Sequence, residues 1–252
     1  MVAVCKLELR SNKWHSMTLD GVTGKDNMAR TTTRPSTPKR FPTVLLTGFD
    51  AFGGDTLNPS WLAVSALNNT VIEGHLVVAA QLPTTFAGSK KLLVALLRKH
   101  KPALVMSVGV AGGRAALSFE RIAINVQDAR IADNAGQQPI DVPVVKSGPP
   151  GYFSTLPIKA MLTAVTNSAV DAEVSQTAGT FVCNHVFYLL MHALGKQPAR
   201  ARARGGFVHV PYLPGQGLPC MRLVDMVHGL QTALSCALVT PYDAAVGAGA
   251  LN

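Results

Sequence analysis

From Thr43 onward the chain alternates short apolar runs with longer amphipathic ones. TVLLTGF begins at Thr43, HLVVAAQLP at His75 and ALVMSVGVAGG at Ala103; the first closes around Gly48, the second at Pro83 and the third at Gly112 and Gly113. Apolar runs of this length, closed by turn residues, predict strands buried on both faces, as in a parallel sheet. Between them, PSWLAVSALNN opens with Pro59 at a first helical turn. TTFAGSKKLLVALLRKHKP sets Phe86, Leu93 and Leu97 along one helical face. Its last turn carries Arg98, Lys99 and Lys101, where the helix dipole favours cations. Downstream the rhythm loosens. SFERIAINVQDARI has strand character, and DNAGQQPIDVPVVKSGPPG is a long turn-rich stretch. LPIKAMLTAVTN reads as a helix, AEVSQTAG as a strand ending at Gly179, and CNHVFYLLMHALG as a helix closed by Gly195. GFVHVP is a short strand stopped by Pro211, and residues 221–238 form a C-terminal helix. The alternation predicts a single α/β domain over residues 42–252, built on a mostly parallel sheet. In such sheets, sites gather beyond the C-terminal ends of the strands.

Composition narrows the classes. With 252 residues, 48% hydrophobic and 15% charged, the chain can bury a full core, and wholesale disorder is excluded. No run approaches the ~18 apolar residues of a membrane helix. Aromatic residues are only 6%, too few for a stacking-based nucleic-acid binder. Five of the nine excess positive charges fall in residues 1–41, which carry eight basic side chains and three acidic ones. That segment is polar and rich in Thr and Pro towards its end, so it reads as a basic extension outside the fold, with Met28 as an alternative start. A second basic run, Lys196, Arg200, Arg202 and Arg204, reads as a surface loop. No nucleic-acid motif accompanies either cluster, so nucleic acid is not an expected partner. The four cysteines form no CxxC pair, and Lys6, Glu8 and Arg10 interrupt any signal-like apolar stretch. The expectation is a reducing compartment and a cytoplasmic location.

Cys183 is the leading nucleophile candidate. It follows GTFV and enters a helix, where unpaired N–H groups and the macrodipole favour a thiolate and can hold an oxyanion. Of seven histidines, His209 is the best partner, because it lies at the end of the GFVHVP strand. Either residue is also compatible with a purely structural role in the core. A carboxylate should orient the imidazole. Glu120, Asp128, Asp133 and Asp141 all qualify, and each also has an arginine nearby for an ordinary ion pair: Arg114, Arg121 or Arg130. Two glycine-rich stretches, GFDAFGG and GVAGGR, match no phosphate-binding pattern. In the first, Phe49 and Phe52 suit a flat, uncharged ligand.

TGFDAFGGDTLNPSW, GGRAALSFERIAINVQDARIADN, AGTFVCNHVFY and GGFVHVPYLP, in that order, resemble pyroglutamyl peptidase I, a family of cysteine exopeptidases. The likeness runs from about Val44 to about Leu238. It implies a three-layer α/β/α sandwich of the phosphorylase/hydrolase type, removal of N-terminal pyroglutamyl residues from peptides, and no metal or organic cofactor. It also implies a homotetramer or other homo-oligomer. Residue by residue, the catalytic positions fall on Glu120, Cys183 and His209, which selects the glutamate from the four open carboxylates. The lactam pocket falls on Phe49, Phe52, Asn58, Phe181 and Val182, with Arg130 and Ile131 beside it. Val110 departs from members with a polar residue before AGGR, and the stretch around 196–204 is slightly long. Two other readings fit parts of the chain. One is a nucleoside phosphorylase or hydrolase using GVAGGR; the other is a nucleic-acid-associated protein using the basic segments.

Overall fold

Strand β1 (Thr43–Phe49) is buried from Val44 to Phe49 because it is paired along both edges. β3 (His75–Leu82) runs parallel on one side and β4 (Leu104–Val110) parallel on the other. The structure is a computed structural model that describes residues 41–198 and 203–249. β9 (Arg204–Val210) extends the parallel array from β4. β5 (Leu117–Glu120) turns against it, antiparallel to β9, and β8 (Ala172–Ser175) lies parallel to β5. The two-residue β2 (Val71–Ile72) closes the other edge, antiparallel to β3. The result is a seven-stranded, mostly parallel sheet in the order β2-β3-β1-β4-β9-β5-β8. A separate ribbon pairs β6 (Ile122–Ile124) with β7 (Gly151–Phe153).

Helices cover both faces, giving three layers. Helices α1 (Pro59–Ala66), α3 (Ile158–Asn167) and α5 (Leu223–Val239) pack on one face with Met106, Val108, Val208 and Val210. Helices α2 (Phe86–His100) and α4 (Val182–Gly195) pack on the other with Leu45, Val105 and Phe207. Successive strand residues alternate between the two cores, as the period of a strand requires. Helix α1 approaches β1 so closely that a Cβ on Gly48 would lie 2.7 Å from the Trp61 Cα, which is why glycine ends the TVLLTGF run.

Some ends differ from the sequence expectation. Gly195 is the last residue of α4 rather than a left-handed stop, and Lys196 caps it in right-handed conformation. The AEVSQTAG strand stops at Ser175, and Gly179 takes φ +74° in the turn that follows. Arg204 does not sit in a surface loop. It opens β9, and its guanidinium donates to the carbonyls of Thr240, at 2.7 Å, and Ala237, closing the C-terminus of α5. The expectations for residues 1–41 (save Phe41) and for Arg200 and Arg202 lie outside the described residues. Among the described residues no helix is long and apolar enough to cross a membrane.

Candidate active site

Strand alternation that separates the two cores also decides where the chemistry can lie. His209 and Phe207 point to the α4 side of β9. The antiparallel register sets Ser118 opposite His209 and Glu120 opposite Phe207, so Glu120 is a diagonal neighbour of His209 on the same face. Its Oε1 lies 2.7 Å from His209 Nδ1. With Nδ1 donating to the carboxylate, Nε2 is left free to take a proton. Glu120 is fully buried and His209 is 4% exposed. The same Oε1 also accepts from Arg114 Nη1 at 2.7 Å, while Glu120 Oε2 is buried without a hydrogen-bond partner.

On the opposite edge of β9, the register partner of His209 is Gly109. A Cβ on Gly109 would lie 2.8 Å from the Sγ of Cys183. The sulfur therefore fills the space a side chain at 109 would occupy, above a strand residue that lies one strand spacing (about 4.8 Å) from its register partner His209. Cys183 is the second residue of α4, whose N-cap, Phe181, supplies no side-chain cap. The N–H groups of Val182, Cys183 and Asn184 are thus left without helical acceptors, and the first helical bond runs from His185 N to Phe181 O at 3.0 Å. That is a set of donors beside a thiol.

The expected depression of the thiol pKa is not what the resting site shows. Burial pushes the Cys183 thiol up to about 12; Glu120 adds to the rise and Arg114 opposes it. The residue keeps some contact with solvent while its sulfur is enclosed against Gly109, so removing the sulfur from water outweighs its place at a helix N-terminus.

Two positions escaped the sequence reading. Asn184 is fully buried; its Oδ1 accepts from Ile124 N, and its Nδ2 donates to Ile124 O and Val126 O, stitching the first turn of α4 to β6. The signal was available as a polar amide directly after Cys183 in the first turn of a mostly apolar helix. Phe86, at the start of α2, was read only as a core residue. Its ring meets Phe181 edge-on at 5.4 Å, and Phe181 in turn meets Phe52 at 5.3 Å.

The other expected pocket residues are distributed unevenly. Phe52 and Phe181 come together, whereas Phe49 is 2% exposed and packs on Phe207 beneath them, and Val182 is buried in the same core. Asn58 caps α1: its Oδ1 accepts from Ser60 N and Oγ, and its Nδ2 donates to Asp50 O. Arg130 and Ile131 are exposed, on a loop fastened to the turn before α4, where Thr180 Oγ1 donates to Asp128 O at 2.7 Å. The three aspartates do other work or none at the site. Asp133 binds the N–H groups of Phe86, Ala135 and Gln137; Asp141 is exposed; Asp128 engages Thr180 through its backbone. In GVAGGR, the Gly112 position is pressed by Tyr212, whose hydroxyl would lie 2.2 Å and ring 2.4 Å from an added Cβ, so this glycine serves packing rather than a phosphate. Among the described residues no three His, Cys, Asp or Glu side chains cluster as metal ligands.

A carboxylate-held imidazole on β9 and a thiol at a helix N-terminus, seated over the neighbouring strand of a mostly parallel α/β/α sandwich, are the parts a cysteine hydrolase uses. Comparison with known proteins narrows this. Residues 42–240 match the family model described as pyroglutamyl peptidase, and the chain belongs to that family. It is 53% identical over 216 residues to the pyrrolidone-carboxylate peptidase of Cupriavidus taiwanensis, spanning 84% of this chain and 100% of that one. Among solved structures, the pyroglutamyl peptidase I of Bacillus amyloliquefaciens superposes with a TM-score of 0.79 at 41% identity, covering 82% of this chain and 100% of that one. The pyrrolidone carboxyl peptidase of Thermococcus litoralis gives 0.74 at 32% identity, covering 78% and 93%.

Proposed function

We propose that this protein is a cysteine exopeptidase that hydrolyses the bond after an N-terminal pyroglutamyl residue, with Cys183 as nucleophile, His209 as proton carrier and Glu120 as the group that holds the imidazole. The observation that carries the reading is the contact of His209 Nδ1 with Glu120 Oε1 at 2.7 Å, with the Cys183 sulfur seated on the strand residue opposite that histidine. The thiol proton passes to His209 Nε2 as sulfur attacks the pyroglutamyl carbonyl carbon. The carbonyl oxygen becomes an oxyanion served by the free N–H groups at the start of α4. Collapse of this intermediate breaks the C–N bond, and His209 returns its proton to the departing amine. A water, deprotonated by His209, then cleaves the thioester and regenerates the thiol. Because burial favours the protonated thiol, attack is coupled to transfer of its proton to the imidazole.

Family membership and the rings of Phe52, Phe181 and Phe86 support a flat, neutral recognition site. A lactam has no charge to bury, and the remaining N–H of Asn58 Nδ2 can meet its carbonyl. A free amino terminus would bring an ammonium against these rings at a cost of several kcal/mol. Phe49 and Val182 form the floor beneath, and Arg130 and Ile131 border the entrance. The exposed apolar side chains Ile140, Val142 and Phe153 fit an assembly of several copies, a homotetramer or another homo-oligomer, working in the cytoplasm. The test uses a fluorogenic amine acylated with pyroglutamate, beside the same amine acylated with proline, which keeps the ring but carries an ammonium. Cleavage of the first and not the second is expected, and it disappears in Cys183→Ala. Substantial activity in that variant, or equal cleavage of both reporters, refutes the proposal.

A further inference from the structure

Arg114 belongs to neither the catalytic trio nor the ring cluster, yet it touches the frame of both. It sits in the loop between β4 and β5. Its Nη1 donates to Glu120 Oε1 at 2.7 Å, and its Nη2 donates to the carbonyl of Thr177 at 3.0 Å. Thr177 lies in the turn that leads into α4 and so delivers Cys183. We infer that Arg114 is a positioning residue for catalysis, one arm of its guanidinium fixing the carboxylate that holds His209 and the other fixing the segment that presents the nucleophile.

The chemistry suits a guanidinium specifically. Glu120 is fully buried, and among the described residues Arg114 is its one permanently charged partner. A buried carboxylate without such a partner is strongly disfavoured, because its lost hydration is not made good. Glu120 offers only Oε1 to its two donors, while Oε2 has none, so the Arg114 contact fixes which oxygen faces the imidazole. A planar fork can satisfy a carboxylate and a carbonyl at once, which a lysine ammonium on a flexible stem does not reproduce. The charged groups acting on the Cys183 sulfur are Glu120 on β5 and Arg114 on the β4–β5 loop, with His209 on β9 held to the same Glu120 oxygen; His185, on α4 itself, packs instead against Phe86. Of these, Arg114 is the one that favours the thiolate against Glu120. With it, the carboxylate and guanidinium cancel, and the thiol–imidazole pair can exchange a proton without changing the net charge of the site.

This inference rests on the proposed peptidase reading, and the experiment separates the two. Arg114→Gln, Arg114→Lys and Cys183→Ala are compared for kcat and KM on the pyroglutamyl reporter. Alkylation of Cys183 by iodoacetamide is followed at fixed pH 8 by mass spectrometry of the peptide that contains it. Arg114→Gln is expected to lose about 100-fold in kcat with KM changed less than about threefold, as misplacement of reacting groups requires. Its Cys183 alkylation should slow about tenfold, since the charge that favours the thiolate is gone. Arg114→Lys should restore the alkylation rate but leave kcat about tenfold low, because one ammonium cannot hold both partners. Arg114→Gln with kcat within threefold of the parent overturns the inference. So does a loss of kcat with unchanged alkylation and a lowered melting temperature, which would make Arg114 structural only. If Arg114→Gln does not fold, Arg114→Lys decides alone, and full kcat in that variant overturns it. Activity surviving in Cys183→Ala would instead sink the peptidase reading itself.

Discussion

Adding one methyl group at Gly109 is the sharpest test of how the site is built. The new Cβ would lie 2.8 Å from Cys183 Sγ and 2.9 and 3.1 Å from two ring atoms of Phe207. Ordinary contacts of this kind are about 3.5–4.0 Å, so the sulfur or the ring must retreat by roughly 0.5–1 Å. Phe207 is 1% exposed and wedged between Phe49, Phe187 and His209, so it has little room. The displacement therefore falls largely on Cys183. Overpacking of a tight site costs about 1–3 kcal/mol, which lowers the melting temperature of a domain this size by roughly 2–12 °C. A fold with 5–15 kcal/mol in hand stays folded at 25 °C. Activity suffers more, because about 1 Å of misplacement costs about 100-fold in rate. The assay is kcat/KM on the pyroglutamyl reporter at 25 °C beside a thermal melt. Gly109→Ala with unimpaired kcat/KM would show that the sulfur does not work from its seat on Gly109, and the geometry argued for the trio would fall with it.

Three further outcomes can be checked. Glu120→Gln keeps the side-chain shape but removes the charge that steadies an imidazolium, so kcat should fall about 10²–10⁴-fold while circular dichroism stays unchanged; an unaltered rate removes Glu120 from the mechanism. His185 is 4% exposed with no hydrogen bond of good geometry at either ring nitrogen, and burial drives it down to about 4 from 6.5, the nearby Phe86 backbone partly opposing and the Lys90 charge adding to the fall. Its folded form binds a proton less readily than the unfolded chain, so stability is whole above pH 6.5 and is lost as pH falls towards 4, by about 3 kcal/mol; urea midpoints against pH should show this slope, and His185→Phe should flatten it. Arg204→Met leaves the carbonyls of Ala237 and Thr240 without their donor and should cost about 1.5–3 kcal/mol, read as a lower melting temperature with kcat/KM unaltered.

What the sequence discloses, and what it withholds, follows from the range of the interactions. Strands β1 and β4 are legible because their burial is written in consecutive residues; β3 shows in the same apolar pattern, although only Val77 and Leu82 of it are buried, since the two-residue β2 is all that lies beyond it at that edge. α4 is legible because an apolar helical run begins at a cysteine. Neither requires knowledge of distant segments. The choice of Glu120 among four carboxylates is different in kind. It depends on β5 running antiparallel to β9, which brings together residues 89 apart in the chain, and no local pattern encodes that reversal. Only the family resemblance supplied it. Asn58 shows the converse. Asn followed by Pro at the first helical position is a local capping signal, and the structure honours it, so most of this amide serves the helix and only one N–H is left for a ligand. The thiol of Cys183 was misjudged because the helix N-terminus is visible in sequence, whereas the enclosure of the sulfur comes from β4 and β9.

Enclosure and catalysis are compatible only if the site stays electrically balanced. An isolated thiolate in this position would be expensive, and the direction of the Cys183 shift says so. Burial therefore favours the neutral thiol, and the buried carboxylate of Glu120 is matched by the Arg114 guanidinium at 2.7 Å. Proton transfer from sulfur to Nε2 then creates a close ion pair within a neutral surround. That pair forms where the negative end meets the free N–H groups of α4 and the positive end meets Glu120. The same logic governs the substrate. A lactam enters without disturbing the balance, while an ammonium adds an unmatched charge next to the one cation the site already needs. Selectivity for a blocked amino terminus and the tolerance of a buried nucleophile are, on this account, two consequences of a single constraint on net charge.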